Sequence, residues 1–328
     1  MLKFVAIIAV ILLHIFALGE KVMMPFFNIK LMGFGGFVKF GVPLFLMVTG
    51  MLTLNRDIEI NSFFKKKVVR IIFPLIFFFI LAYLCNVYSN PLLSFWYCWM
   101  IIATYFAIPV VNKLVQNSSL EEIRYFVLVF LMVSLVYTFA NKYNISGHLD
   151  FGFFIGPVSY LILGYYLSRY EFKTNKKWII CISLLLFLFT SFYKIYVGDS
   201  LFLNDGSFMI SYLDVSIFQV IQTASVFIII KNIYESSAGI FNIIRKFLES
   251  KYISKFIESI SRSSYGIYLL HIILIRAYIL PYVMENTMTG KQSCLAIIFV
   301  TTFTLLISWI VIWILGRIPY LDKFSGYY

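Results

Sequence analysis

Long apolar runs separated by short polar connections dominate this chain. Ten of them can be counted, at about 2–18, 36–54, 71–89, 95–111, 124–140, 151–168, 178–197, 210–230, 264–283 and 294–316. A run of about twenty apolar residues is what an α-helix needs to cross a hydrocarbon core about 30 Å thick. A membrane β-barrel would show alternating segments of about ten residues, which these continuous runs exclude. The pattern predicts an all-α polytopic membrane protein with about ten transmembrane helices. No linker rich in Gly, Ser or Pro divides it, so residues 1–328 are expected to form a single transmembrane domain.

The polar positions give an orientation. Basic residues collect in alternate connections: Arg56, Lys65, Lys66, Lys67 and Arg70 after the second run; Lys113 and Arg124 after the fourth; Arg169, Lys173, Lys176 and Lys177 after the sixth. Lys231, Arg245, Lys246, Lys251, Lys255 and Arg262 follow the eighth, and Lys3, Arg317 and Lys323 fall on the same side. The opposite connections hold Glu20, Asp150, Asp199, Asp205 and Glu285. Lysine and arginine accumulate on the cytoplasmic side, so both termini are expected in the cytoplasm. The longest cytoplasmic connection, about 231–263, carries Ile240, Ile244, Phe247, Ile253, Phe256, Ile257 and Ile260 at helical spacing among charged residues. It reads as an amphipathic helix on the inner surface, or as a plain elbow between runs.

Composition sharpens this picture. The chain is 61% hydrophobic and only 13% charged, where soluble proteins carry roughly 25% charged residues. The net charge of +12 follows from the cytoplasmic connections and calls for no nucleic acid. Cys85, Cys98, Cys181 and Cys294 form no C-x-x-C pair, and His14, His148 and His271 are too scattered to argue for a metal from spacing.

Chemistry enters at the first run. His14 lies eleven residues after Lys3, so the two share nearly one side of a helix and stand roughly 16 Å apart. An imidazole at mid-membrane depth is either a hydrogen-bonding strut between helices or a functional group. His271 and Arg276 share the ninth run, roughly 140° apart around an ideal α-helix. Trp96 and Trp99 sit at the outer edge of the fourth run, as an interfacial belt or as a platform for sugar rings. Segment 198–207 offers carboxylates and amides to hydroxyls, and Asn144-Ile-Ser146 fits the glycosylation triplet.

Six motifs, in order, carry a resemblance. They are Lys3, ten residues, then His14, with Ala6 and Val10 between; Gly41-Val-Pro-Leu-Phe-Leu-Met-Val-Thr-Gly50; and Phe64-Lys-Lys-Lys-Val-Val-Arg-Ile-Ile-Phe-Pro74. Then come Trp96 to Pro109, Gly164-Tyr165-Tyr166, and Ser263-Ser-Tyr-Gly-Ile-Tyr-Leu-Leu-His271. Together they resemble the bacterial membrane-bound acyltransferase family 3, integral membrane O-acyltransferases that modify surface polysaccharides. The chain departs from the family pattern at Lys3, where an arginine is usual, and after His271, where Ile-Ile replaces x-Pro. Lysine keeps the charge and loses the bidentate fork.

The resemblance implies that the first run is retained as a helix. It also implies that acetyl, or another acyl group, passes from acetyl-CoA to a hydroxyl of a cell-surface polysaccharide or its lipid-linked precursor in the bacterial inner membrane. His14 is the expected catalytic residue, with Lys3, Lys65, Lys66, Lys67 and Arg70 for the phosphates of coenzyme A. Trp96, Trp99, Tyr265, Tyr268 and His271 are the expected substrate contacts. No permanently bound cofactor and no metal is expected; acyl-CoA, the glycan acceptor, membrane lipids and glycan-assembly proteins are the expected partners. A lipid-linked sugar flippase and a non-catalytic membrane subunit of glycan assembly are the alternatives.

Overall fold

Ser119-Leu-Glu-Glu122 and Ser216 show how locally this chain sets its helix ends. Ser119 N–H and hydroxyl both donate to Glu122 Oε2, at 2.6 and 2.8 Å, while Ser119 Oγ accepts from Glu122 N–H. This is a reciprocal capping box. Ser216 caps the next such start by accepting from Gln219 N–H.

The structure is a computed structural model and describes residues 1–23, 31–87, 95–143, 154, 156–197, 214–237, 239–279 and 290–328. His148, Asn144-Ile-Ser146 and segment 198–207, singled out above, lie outside the described residues. Among the described residues every regular element is helical. In order they are α1 (Leu2–Met23), α2 (Leu31–Val38), α3 (Gly41–Thr53), α4 (Ile60–Leu84), α5 (Trp96–Gln116), α6 (Leu120–Lys142), α7 (Pro157–Arg169), α8 (Lys176–Val197), α9 (Ile217–Glu235), α10 (Gly239–Leu248), α11 (Lys251–Leu274), α12 (Gly290–Leu315) and α13 (Asp322–Ser325). The last turns of α11 run on as a π-helix over Ile275–Ile279.

Among the described residues, seven segments are long and apolar enough to cross a membrane: Gly35–Thr53, Ile60–Leu84, Trp96–Gln116, Leu120–Ala140, Lys176–Tyr196, Ile217–Glu235 and Ile297–Leu315. The protein is therefore an all-α polytopic membrane protein. The other three runs of the sequence fall on α1, whose apolar part Leu2–Phe16 is shorter, on the 13-residue α7, and on the second half of α11.

The connection 231–263, read from sequence as a surface helix or as an elbow, has features of both. It holds the end of α9, then α10, then a break at Glu249–Ser250 and the first half of α11. α10 keeps the amphipathic character: none of its residues is buried, and Ile240, Ile243 and Phe247 are exposed beside Arg245 and Lys246. Ile257 and Ile260 instead belong to the core, because α11 passes into its span without interruption.

α1 packs against α2, α3, α11 and α12, and α8 packs against α9 and α2. α3 and α7 cross with their backbones in close contact. A Cβ on Gly50 would overlap the carbonyl of Leu161, and one on Gly164 would overlap the backbone of Met47. Two glycines facing one another let the backbones touch, as small residues do where helices pack in lipid.

Candidate active site

Four helices present residues of helical spacing to one cavity of about 150 Å³. α5 contributes Tyr97, Ile101 and Tyr105; α11 contributes Ser261, Ser264, Tyr265 and Tyr268; α3 contributes Phe45 and Thr49; α4 contributes Lys67, Arg70 and Ile71. These i, i+3, i+4 sets are what one face of each helix shows its neighbours. The rim is cationic, with Lys3 of α1 and Arg262 of α11 joining Lys67 and Arg70. Among the described residues, none lining the cavity is acidic. Lys67, Arg70 and Arg262 are exposed, whereas Tyr97 and Tyr268 are buried, so charge marks the mouth and the tyrosines mark the floor. Arg262 also meets Glu258, at 2.6 Å, one turn back on the same helix.

One cation is held by a device spread along the chain. Pro74 has no N–H to give the carbonyl four residues back, that of Arg70. The hydroxyl of Tyr328 donates to that carbonyl instead, and the Tyr328 ring lies 5.3 Å beneath the Arg70 guanidinium. Burial pushes the Tyr328 hydroxyl up, with Arg70 opposing, so it stays protonated and a donor. Tyr328 N–H donates to the carbonyl of Arg262 at 2.9 Å, tying the tail to both α4 and α11. The neighbouring carbonyl, Ile71, accepts from Tyr265 hydroxyl at 3.0 Å, and Tyr265 also reaches the thiol of Cys98.

Beyond the floor lies a chain of rings. Tyr97 and Tyr268 stand 4.8 Å apart between centroids, Tyr268 and His271 5.6 Å, and His271 and His14 5.1 Å. Thus α1 and α11 bring together two histidines separated by 257 positions in sequence. His271 Nδ1 sits 2.6 Å from the carbonyl of Tyr268 and 3.2 Å from that of Ile267. Both partners only accept, so Nδ1 carries the proton and the neutral ring keeps its lone pair on Nε2. That Nε2 is buried with no hydrogen-bond partner among the described residues. A lone pair fixed in tautomer and aimed into a dry interior can take a proton or attack an acyl carbon. Arg276 follows in the π-helical turn, where the helix leaves the ideal spacing assumed from sequence.

The expected site residues divide accordingly. Lys3, Lys67, Arg70, Tyr265 and Tyr268 line the cavity, and His14 and His271 meet beyond it. Lys65 and Lys66 are exposed and are not part of the lining, since steps of 100° turn them off the face of Lys67. Trp96 and Trp99 also lie outside the lining; the Tyr97 between them enters it. Sequence reading overlooked Tyr97, Arg262 and Tyr328. Tyr97 was legible as the residue in register with Ile101 and Tyr105, whereas nothing local marks Tyr328.

A second buried polar group was also unforeseen. Lys39, Lys194 and Asp214 converge, with Asp214 Oδ2 3.6 Å from Lys39 Nζ and 4.0 Å from Lys194 Nζ. Lys194 Nζ donates to Gln219 and Gln222, and Gln222 Nε2 donates to the Gly36 carbonyl and Ser191 Oγ, both at 2.7 Å. This network ties α2, α8 and α9 together.

Fold and site define an all-helical membrane protein with a cation-rimmed cavity and a histidine pair of which His271 is buried and His14 partly so. A family model described as an acyltransferase domain, that of acyltransferase family 3, matches residues 1–313. The chain belongs to this family and is a membrane acyltransferase. No curated protein and no solved structure matched in the corresponding comparisons.

Proposed function

We propose that this protein is an O-acyltransferase of the bacterial cytoplasmic membrane. It takes an acyl group, acetyl foremost, from its coenzyme A thioester and gives it to a hydroxyl of a cell-surface polysaccharide or its lipid-linked precursor. The observation that carries this reading is the cationic cavity whose tyrosine floor leads, ring by ring, to the His14–His271 pair.

Lys3, Lys67 and Arg70 offer charge to the donor's phosphates, Arg70 through a planar fork that pairs with two phosphate oxygens. The thioester end then points down the cavity. The histidine pair takes the proton of the acceptor hydroxyl as its oxygen attacks the acyl carbon; the carbon–sulfur bond breaks, and the thiolate leaves with a proton. The basic connections support a reading in which the cavity mouth and both termini face the cytoplasm, where acyl-CoA is made. Donor and acceptor thereby meet the bundle from opposite faces.

Mass spectrometry of surface polysaccharide from cells carrying His14→Gln or Arg70→Ala tests this. Unchanged polymer export with loss of the acyl mass increment is expected for both. Loss of the polymer itself would favour a flippase, and a fully acylated polymer in His14→Gln cells would overturn the enzymatic reading.

A further inference from the structure

The cavity does not reach the histidines. It ends at Tyr97 and Tyr268, while His271 stands behind Tyr268 and His14 behind His271. We propose that these two tyrosine rings form a gate that sets the length of acyl group the protein accepts, admitting acetyl-sized groups and refusing longer chains. This rests on the donor reading given above and adds the selectivity element to it.

The geometry supports a gate rather than an open floor. The rings come from different helices, Tyr97 from α5 and Tyr268 from α11, and meet at 4.8 Å with an interplanar angle of 59°. At that separation two aromatic rings are in direct contact and leave no passage between them. Each is backed by another ring, Tyr97 by Phe45 at 6.3 Å and Tyr268 by His271 at 5.6 Å, so neither can simply fall away. Both are buried, at 7% and 5% exposure.

Size points the same way. A cavity of about 150 Å³ holds a group of roughly benzene's bulk, which suits the thioester end of the donor and leaves its nucleotide among the rim cations. An acetyl carbonyl can edge against a slightly rotated ring to come within reach of His271. A chain of six carbons must displace a ring that is already packed. Pockets of this kind discriminate roughly tenfold or more per misfitting methylene.

The test uses the full chain in nanodiscs. Binding of coenzyme A, acetyl-CoA, butyryl-CoA and hexanoyl-CoA is measured for wild type, Tyr97→Ala, Tyr97→Phe and Tyr268→Leu. Wild type is expected to prefer acetyl-CoA over hexanoyl-CoA, and Tyr97→Ala to shift that ratio by about tenfold toward the longer chain. Tyr97→Phe keeps the ring and is expected to keep the wild-type ratio. Tyr268→Leu keeps the backbone carbonyl that anchors His271 and is expected to shift the ratio as Tyr97→Ala does, which preserves the test if the alanine variant fails to fold. If wild type binds all acyl chains alike, or both small-side-chain variants retain its ratio, the gate is overturned while the donor reading stands. If wild type binds neither coenzyme A nor any thioester, the donor reading falls and the gate with it.

Discussion

At the scale of single residues, a proline with no hydrogen to donate governs one side of the site. Pro74 releases the Arg70 carbonyl, Tyr328 satisfies it, and the same tyrosine underlies the Arg70 guanidinium. This hydrogen bond lies at the exposed mouth of the cavity and is worth what an ordinary one is, about 1 kcal/mol. Tyr328→Phe is expected to lower stability by about 1 kcal/mol and to weaken donor binding several-fold as Arg70 loses its seat. Pro74→Ala returns an N–H to the carbonyl. In that background the stability cost of Tyr328→Phe is expected to shrink toward zero, as a double-mutant cycle of thermal unfolding will read. Equal costs in both backgrounds would break the link between proline and tail. His271 shows the same economy: one turn of its own helix supplies the carbonyls that fix its tautomer, and the neighbouring helix supplies His14.

At the scale of helices, the sequence was most reliable where the physics is local. The apolar spans and the spacing of Lys3 and His14 along the first helix follow from a few neighbouring residues. Where two helices meet, local pattern falls silent. Gly50 and Gly164 were visible only as motif positions, and the structure shows why each must be glycine: α3 and α7 cross there with backbones touching. Gly164→Ala is expected to destabilise the protein by roughly 1–3 kcal/mol, because the helices must move apart and loosen their whole contact. A lower unfolding temperature in detergent, matched by Gly50→Ala, checks it; an unchanged one would mean the crossing has slack. Spacing alone left 231–263 open between a surface helix and an elbow for a related reason. Amphipathic spacing is the same in a helix lying on a membrane and in one entering it, and only the packing of Ile257 and Ile260 separates the two.

At the scale of the molecule, two polar centres divide the described part of the bundle, one open at its mouth and one buried. One is the cationic cavity with its histidines, built from α1, α3, α4, α5 and α11. The other is the Lys39–Asp214–Lys194 network across α2, α8 and α9. Charges buried in a membrane protein persist only when paired and hydrogen-bonded. Asp214→Asn removes the carboxylate charge that both buried ammonium groups approach and is expected to cost roughly 3 kcal/mol. A thermal melt in nanodiscs reads this; a wild-type melting temperature would mean that the network does not hold these helices together.

The sequence by itself determined that this chain lives in a membrane, marked the seven segments long and apolar enough to cross it, and carried the family resemblance in its opening helix and the basic segment before Pro74. These are properties of short windows, set by transfer into lipid and by helical periodicity. Tertiary structure decided which residues meet. It joined His14 to His271, chose Lys67 and Arg70 over Lys65 and Lys66, passed over Trp96 and Trp99 for Tyr97, and brought Tyr328 to the cavity mouth. Those choices depend on helix crossings and on the rotation of each helix about its axis, which side chains far apart in the chain settle jointly.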